Sequence, residues 1–396
     1  MWGHRIGHER PLVSLASSPD NRWIASASVD SSIIFWDAQT GNMSYQWAAS
    51  PRPLRCMCFS PDGSRLLSGG DDAVLRIWDA SNGHQLAILE GHTHEIEACA
   101  WSPNGAYLAS VSSQDTASTM HLWDAKTSRR IVVINTEDGS GLREGFGRVC
   151  FSPDSRRVAS FLHFSPLCYM WNVSSDKDAP PQTLRGHTET VFDVAFDRTG
   201  SHVATASRDR TIRVWDVDTR EVLEVFDGLP DWARAIEFSP DDALLFAGLG
   251  DGTARLWNTN GDHQPQILKG HQKCINAVAF SPDGQYVATA SGDHTVRLWS
   301  ISSRRCVGVL MDHESEVTHV LFSADGEVLA SGDFQGIVHI LQFRDCIAAC
   351  VQLDPPESSH TPTLPNVVST QDPQLVHQDR ESVIIEHAGQ HQYSLE

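Results

Sequence analysis

Seven tryptophans, Trp36, Trp78, Trp123, Trp171, Trp215, Trp257 and Trp299, each close a similar short apolar run, at intervals of 42, 45, 48, 44, 42 and 42 residues. One further step of 42 lands on Leu341, inside the matching run Gly336-Ile-Val-His-Ile-Leu341. A period of this length, held over eight units, means one supersecondary unit copied along the chain. Within a unit the punctuation is regular. Gly270-His271 leads into the strand-like run Ile275–Phe280, then a Ser281-Pro-Asp-Gly284 turn in which Pro fixes φ and Gly supplies positive φ. Tyr286–Ala290, a turn around Asp293, Thr295–Trp299 and Cys306–Met311 complete four short β-branched and apolar runs. A four-stranded meander of this size cannot bury both faces alone. Stacking the sheets radially buries them against one another, and closing the ring removes the open ends.

These motifs resemble the WD-repeat (WD40) family over residues 7 to about 353. The resemblance rests on Gly-His at 7, 91, 186 and 270, on Ser-Pro-Asp turns, and on Trp-Asp at Trp36, Trp78, Trp123 and Trp215. The expected fold is all-β, a β-propeller of eight four-stranded blades, with seven blades and one stray unit as the alternative. Repeats end near 37, 79, 124, 172, 216, 258, 300 and 342. Ile347–Leu353 falls where the eighth unit needs its fourth strand, and Trp2–Ile6 is a second candidate to close the ring. From residue 354 to 396 the chain turns Pro-, Ser-, Gln- and His-rich with seven acids and one base, which reads as a disordered acidic tail.

The resemblance further implies a hydrogen-bonded tetrad in each blade: the His of Gly-His, a Ser or Thr of the second strand, a turn Asp and the Trp. Three units match fully: His8, Ser26, Asp30, Trp36; His187, Thr205, Asp209, Trp215; and His271, Thr289, Asp293, Trp299. The second unit puts Ser50 where His belongs, the fourth has Leu142, and the sixth has Leu229 with Ala247 for the hydroxyl. The third keeps His92 and Trp123 but lengthens its inner hairpin around Gln114–Thr119. The eighth keeps His313 and Ser331 but has Gln335 for Asp and Leu341 for Trp. Blades four, six and eight are therefore expected to be the least rigid.

The Asp-His-Ser/Thr trio imitates a hydrolase triad, yet a hydroxyl inside a blade has no oxyanion hole or cleft, and its repetition argues for architecture. No HExxH, Walker-type loop or GxSxG is present, and Gly248-Leu-Gly-Asp-Gly252 occupies a hairpin turn. His94, His121, His163 and His319 are isolated. Nine cysteines without a CxxC read as buried free thiols in a reducing compartment, with no metal site and no cofactor. The net charge of −20 disfavours direct nucleic-acid binding and anionic membranes, and no apolar run is long enough to span a bilayer. No N-terminal apolar stretch suggests a secretory signal, and no basic localisation run is present, so a cytoplasmic protein is expected, with the nucleus as alternative. The repeat starts almost at residue 1, which also suits the propeller portion of a longer architecture.

The chain is thus expected to be a non-enzymatic scaffold that binds proteins or peptides, acidic or phosphorylated ones among them. In WD-repeat proteins partners commonly dock on the face carrying the loops before the first strand and between the second and third. The positions that look outward there include Arg55, Asp71, Glu95, Glu97, Phe192, Arg208, Trp232, Arg234, Asn276 and Phe334. Phe192, Arg208, Trp232 and Arg234 fall on adjacent blades and combine aromatics with guanidinium groups, as binding hot spots do. Glu95 and Glu97 lie across the ring, so the face is expected to be electrically divided. Equally, Trp232 has a purely structural use, covering the rim of a blade that lost its His. Two other functions compete. A cullin-type ubiquitin-ligase receptor of this family carries Trp-Asp-x-Arg, and the nearest match is Trp123-Asp-Ala-Lys126. An enzyme using the central channel is the remote third.

Overall fold

The computed structural model describes residues 7–112, 118–136, 146–162, 165–173, 181–259, 261, 264–311 and 313–346. It is a β-propeller of eight antiparallel sheets in chain order, so the seven-blade alternative falls. Seven sheets have four strands with meander order, and the eighth shows three among the described residues. Both candidates for its fourth strand, Trp2–Ile6 and Ile347–Leu353, lie outside the described residues, as does the 354–396 tail.

The hydrophobic core lies between blades rather than within them. Ala204, Ala206 and Ile212 of blade five pack on Ile236, Phe238 and Leu245 of blade six. The ring closes the same way: Ile24, Ile34 and Trp36 of blade one share a cluster with Val328, Ala330 and Val338 of blade eight. His8 N–H donates to Gly336 O at 2.9 Å, and Gln342 Nε2 donates to Ala38 O at 3.1 Å across the same seam. A Cβ on Gly336, whose φ is +91°, would lie 2.4 Å from Arg10 O, so this junction needs glycine.

One irregularity recurs and bears on function. In every blade the pairing of the inner strand with the second strand skips one residue at the same end. Val191 pairs with Ser207 and Asp193 with Ala206, leaving Phe192 unmatched. Such a bulge re-aims the extra side chain. The skipped residues of the other blades include Arg55, Glu97, Arg234, Asn276 and Thr318.

Candidate protein-interaction face

The tetrads form the frame that holds this face. In blade five His187 Nδ1 lies 2.8 Å from Asp209 Oδ2 and Nε2 lies 2.7 Å from Thr205 Oγ1, which also accepts Trp215 Nε1–H at 2.8 Å. Blade seven repeats the chain through His271, Asp293, Thr289 and Trp299. In blade one Ser32 intervenes: its Oγ sits 2.9 Å from His8 Nδ1 and donates to Asp30 at 2.6 Å, while Asp30 itself is 3.3 Å from the ring. Ser26 bridges His8 Nε2 and the Trp36 N–H.

The Asp does more than orient the ring. Asp209 also accepts from the Thr188 and Thr211 N–H groups and the Thr211 hydroxyl, so it ties the loop before the blade to the inner hairpin. Burial works against its charge, but these hydrogen bonds hold its carboxyl well below the usual carboxylate range. The hairpin residue after it, Arg210, has φ +62°, a left-handed turn stabilised by the Asp209 side chain.

The incomplete blades differ from expectation in two places. In blade eight Asp333, two residues after Ser331, takes the place assigned to the missing Asp. Its Oδ2 lies 3.0 Å from His313 Nδ1, and Oδ1 accepts the Ile337 N–H. The acid sits earlier in the chain because the hairpin reads Asp-Phe-Gln-Gly, which lets Asp333 reach back; spacing alone missed it. In blade three Ser110 bridges His92 and Trp123, and His121 stacks on His92 with ring centroids 3.7 Å apart. Burial first, then the neighbouring positive groups, pushes His92 down to about 3 and His121 down to about 4. His94 lies half-buried beside Thr93, and burial pushes His319 down to about 4. Leu142, Gln114 and His163 lie outside the described residues.

On the face itself the structure brings four sequence candidates together. The rings of Phe192 and Trp232 lie 6.4 Å apart, Arg208 sits 6.0 Å over Trp232, and Arg234 sits 6.0 Å over Phe192. Both arginines are exposed. Trp232 also has a covering role: a Cβ on Gly250 would lie 2.5 Å from its Nε1, so the indole rests on that hairpin. Its N–H is buried, with the Cys274 thiol as its neighbour.

The opposite half is not simply acidic. Arg55 pairs with Asp71 and, at 3.0 Å, with Glu97, which cancels part of the expected electrical division; Glu95 has no ion pair among the described residues. Asn276 is committed to Val317 O of the next blade at 3.0 Å, whereas Phe334 is 53% exposed.

Sequence reasoning missed a charged group on the inner strands. Arg148 binds Asp193 at 2.6 Å, Asp193 accepts the Ile236 N–H, and Glu237 accepts the Phe280 N–H, bracing neighbouring blades around the axis. Burial pushes Glu237 up to about 7. The available signal was contrast, since the matching positions are mostly small and uncharged: Ser14, Cys56, Ala98, Ala235 and Ala277, with His319 the exception; and Ala16, Cys58, Ala100, Cys150, Ala195 and Ala279, with Leu321 the exception. Among the described residues no group of three or more His, Cys, Asp or Glu is arranged to hold a metal ion, and the eight described cysteines are free thiols, buried or half-buried.

The family profile "WD domain, G-beta repeat" matches residues 3–37, 44–79, 83–124, 179–216, 221–258, 263–300 and 304–340, well over half of the chain. The chain belongs to the WD40 family. The unmatched stretch is the fourth repeat, the one furthest from the tetrad pattern. Part of the chain is 33% identical over 104 residues to human WD repeat-containing protein 90, covering 26% of this chain and 6% of that protein. It is 28% identical over 109 residues to "Target of rapamycin complex subunit wat1" of Schizosaccharomyces pombe, covering 28% and 32%. The matched stretches thus span a third or less of these relatives. Among solved structures, the computationally designed Ika8 protein superposes with a TM-score of 0.72 at 26% identity, covering 85% of this chain and 97% of that one. Proteins of this WD40 family typically act as protein-interaction scaffolds, and no helix among the described residues is long and apolar enough to cross a membrane.

Proposed function

We propose that this WD40 protein is a non-enzymatic interaction scaffold, and that blades five and six grip an acidic or phosphorylated peptide or loop of a partner protein. The observation that carries this reading is the interleaved set Phe192, Arg208, Trp232 and Arg234, two aromatic rings each faced by an exposed guanidinium. Aromatic anchors flanked by arginines are the composition of binding hot spots, and a guanidinium can meet a carboxylate or phosphate with two parallel hydrogen bonds. The cytoplasm, with the nucleus as alternative, is the compartment proposed for this role. The ligase-receptor reading gains nothing at Lys126, where an ammonium stands in place of a guanidinium fork.

The test is affinity purification with mass spectrometry from the native cell, using the full chain as wild type, Arg234→Glu and Trp232→Ala. Loss of the same partners from both variants, with circular dichroism unchanged, supports the reading. Partners retained by Arg234→Glu overturn it. Retention by Trp232→Ala with a lowered melting temperature would assign the indole to covering Gly250 alone.

A further inference from the structure

We infer that the opposite face of the disc holds a second binding site, a pocket between blades two and three that takes an anionic side chain of a partner peptide: a phosphoserine or a pair of acidic residues. The pocket is open to solvent and offers about 490 Å³. It is bounded by the Ser60–Asp62 and Pro103–Gly105 turns, by Trp101, and by two cations, Arg65 from blade two and Lys126 from blade three. Its turns connect first to second strands and third to outer strands, so they lie at the end of the blades away from the Phe192–Trp232 cluster.

The repeats supply an internal standard for this pocket. Arg65 is the first residue of its second strand; Arg157 holds the same position in blade four. Lys126 stands three residues after Trp123; in blade five Asp218 stands three after Trp215. At the blade four–five junction these equivalent residues form an ion pair, Arg157 with Asp218. At the blade two–three junction the same geometry sets arginine against lysine. Neither has an ion pair with an acid among the described residues. Asp62 feels the Arg65 charge, but it accepts from the hydroxyls of Ser60 and Ser64 within its own turn, as Asp154 does from Ser152 beside Arg157. What differs between the two junctions is therefore the missing counter-anion.

Two further departures converge on the same pocket. Asn104 replaces the turn aspartate present at Asp20, Asp62, Asp154, Asp241, Asp283 and Asp325, removing a negative charge from the wall. Trp101 replaces the phenylalanine found at Phe59, Phe151, Phe196, Phe238, Phe280 and Phe322. Its Nε1–H is satisfied by Gly105 O at 3.2 Å, so the larger ring is held in place and offers added apolar surface beside the cations. An inorganic ion would use neither the indole nor Pro61 and Pro103. A peptide bearing the anion uses both, which is why the occupant is assigned as peptide. On a chain of net charge −20 two unpaired cations at one pocket also form a local attractor for an acidic ligand.

The test measures fluorescence polarisation of a fluorescein-labelled hexapeptide carrying two glutamates after a proline, its phosphoserine counterpart, and a neutral glutamine counterpart, with the full chain. Wild type is expected to bind one or both anionic peptides and to bind the neutral one at least about tenfold more weakly. Lys126→Asp restores the acid of the blade four–five junction, so it is expected to leave the melting temperature unchanged or raised while weakening binding by about tenfold or more. Trp101→Phe, the residue of the other repeats, weakens binding while inorganic pyrophosphate competition is unaltered. Equal binding by wild type and Lys126→Asp overturns the site, as does the absence of saturable binding by either anionic peptide. Displacement by pyrophosphate as effective as by unlabelled peptide overturns the peptide assignment. Arg234→Glu lies on the other face and is expected to leave this assay unaffected, which separates this site from the proposed scaffold surface.

Discussion

Removing the hydroxyl at the hub of a tetrad tests whether these networks hold the blades or merely decorate them. Thr205 is fully buried, and its oxygen serves two groups: the Trp215 N–H donates to it at 2.8 Å, and it lies 2.7 Å from His187 Nε2. With Asp209 accepting from Nδ1, Nε2 is left to accept the Thr205 O–H, so the chain runs Trp to Thr to His to Asp. Thr205→Val keeps the shape and strands both neighbours. Trp215 is 1% and His187 7% exposed, so water cannot readily replace the lost oxygen. Each stranded buried group costs about 1–3 kcal/mol, so the variant should lose about 2–6 kcal/mol. That is a large part of the ~5–15 kcal/mol that holds a typical domain folded. The assay is urea unfolding followed by midpoint and slope, with native-state hydrogen exchange of the blade-five amides. A control comes from the chain itself: blade six runs on Leu229 and Ala247, both buried, at the His and hydroxyl positions. His187→Leu with Thr205→Ala should therefore recover part of the loss, because an apolar pair leaves fewer unpaired groups than a broken polar one. A Thr205→Val cost within ~0.5 kcal/mol of zero at unchanged slope would refute the reasoning, since that is the scatter of a neutral surface change.

Acid should destabilise the fold before the carboxylates titrate. His92 and His121 have folded values of about 3 and about 4, below the ordinary 6.5, so their stabilising contribution is complete above pH ~6.5 and shrinks as pH falls toward ~4. Melting temperature measured from pH 8 to 4 should drop over that window, and His121→Leu should flatten the slope. In hydrogen exchange blades four and six should open most readily, while blade eight, whose Asp333 completes its His313–Ser331 network, should not join them; slower exchange in blades four and six than in five and seven would contradict this.

How much was legible in the sequence depends on whether a feature is periodic. Blade number and the strand runs follow from spacing, because each repeat reports the same local chemistry several times over, and the resemblance to the WD40 family implied the tetrads of blades one, five and seven. Position along the repeat also located Phe192, Arg208, Trp232 and Arg234 on adjacent blades. Departures from the period were harder to read. Asp333 substitutes for an acid two residues out of register, and the sequence could not show that the hairpin would fold back to let it do so. Arg148, Asp193 and Glu237 lie in different repeats, and only the ring closes the distance between them.

The sequence by itself determined that this chain is a propeller, since a 42-residue unit with four apolar runs can be buried only against copies of itself. Tertiary structure decided which charges on that ring are spent and which are free. Arg55, read as an open partner-binding residue, is paired with Asp71 and Glu97; Arg65, which the sequence did not single out, lines one pocket with Lys126, and neither forms an ion pair among the described residues. The physical reason is that an ion pair forms across a blade junction, between residues about 40 to 60 positions apart, and its sign is settled by side-chain geometry that no local pattern encodes.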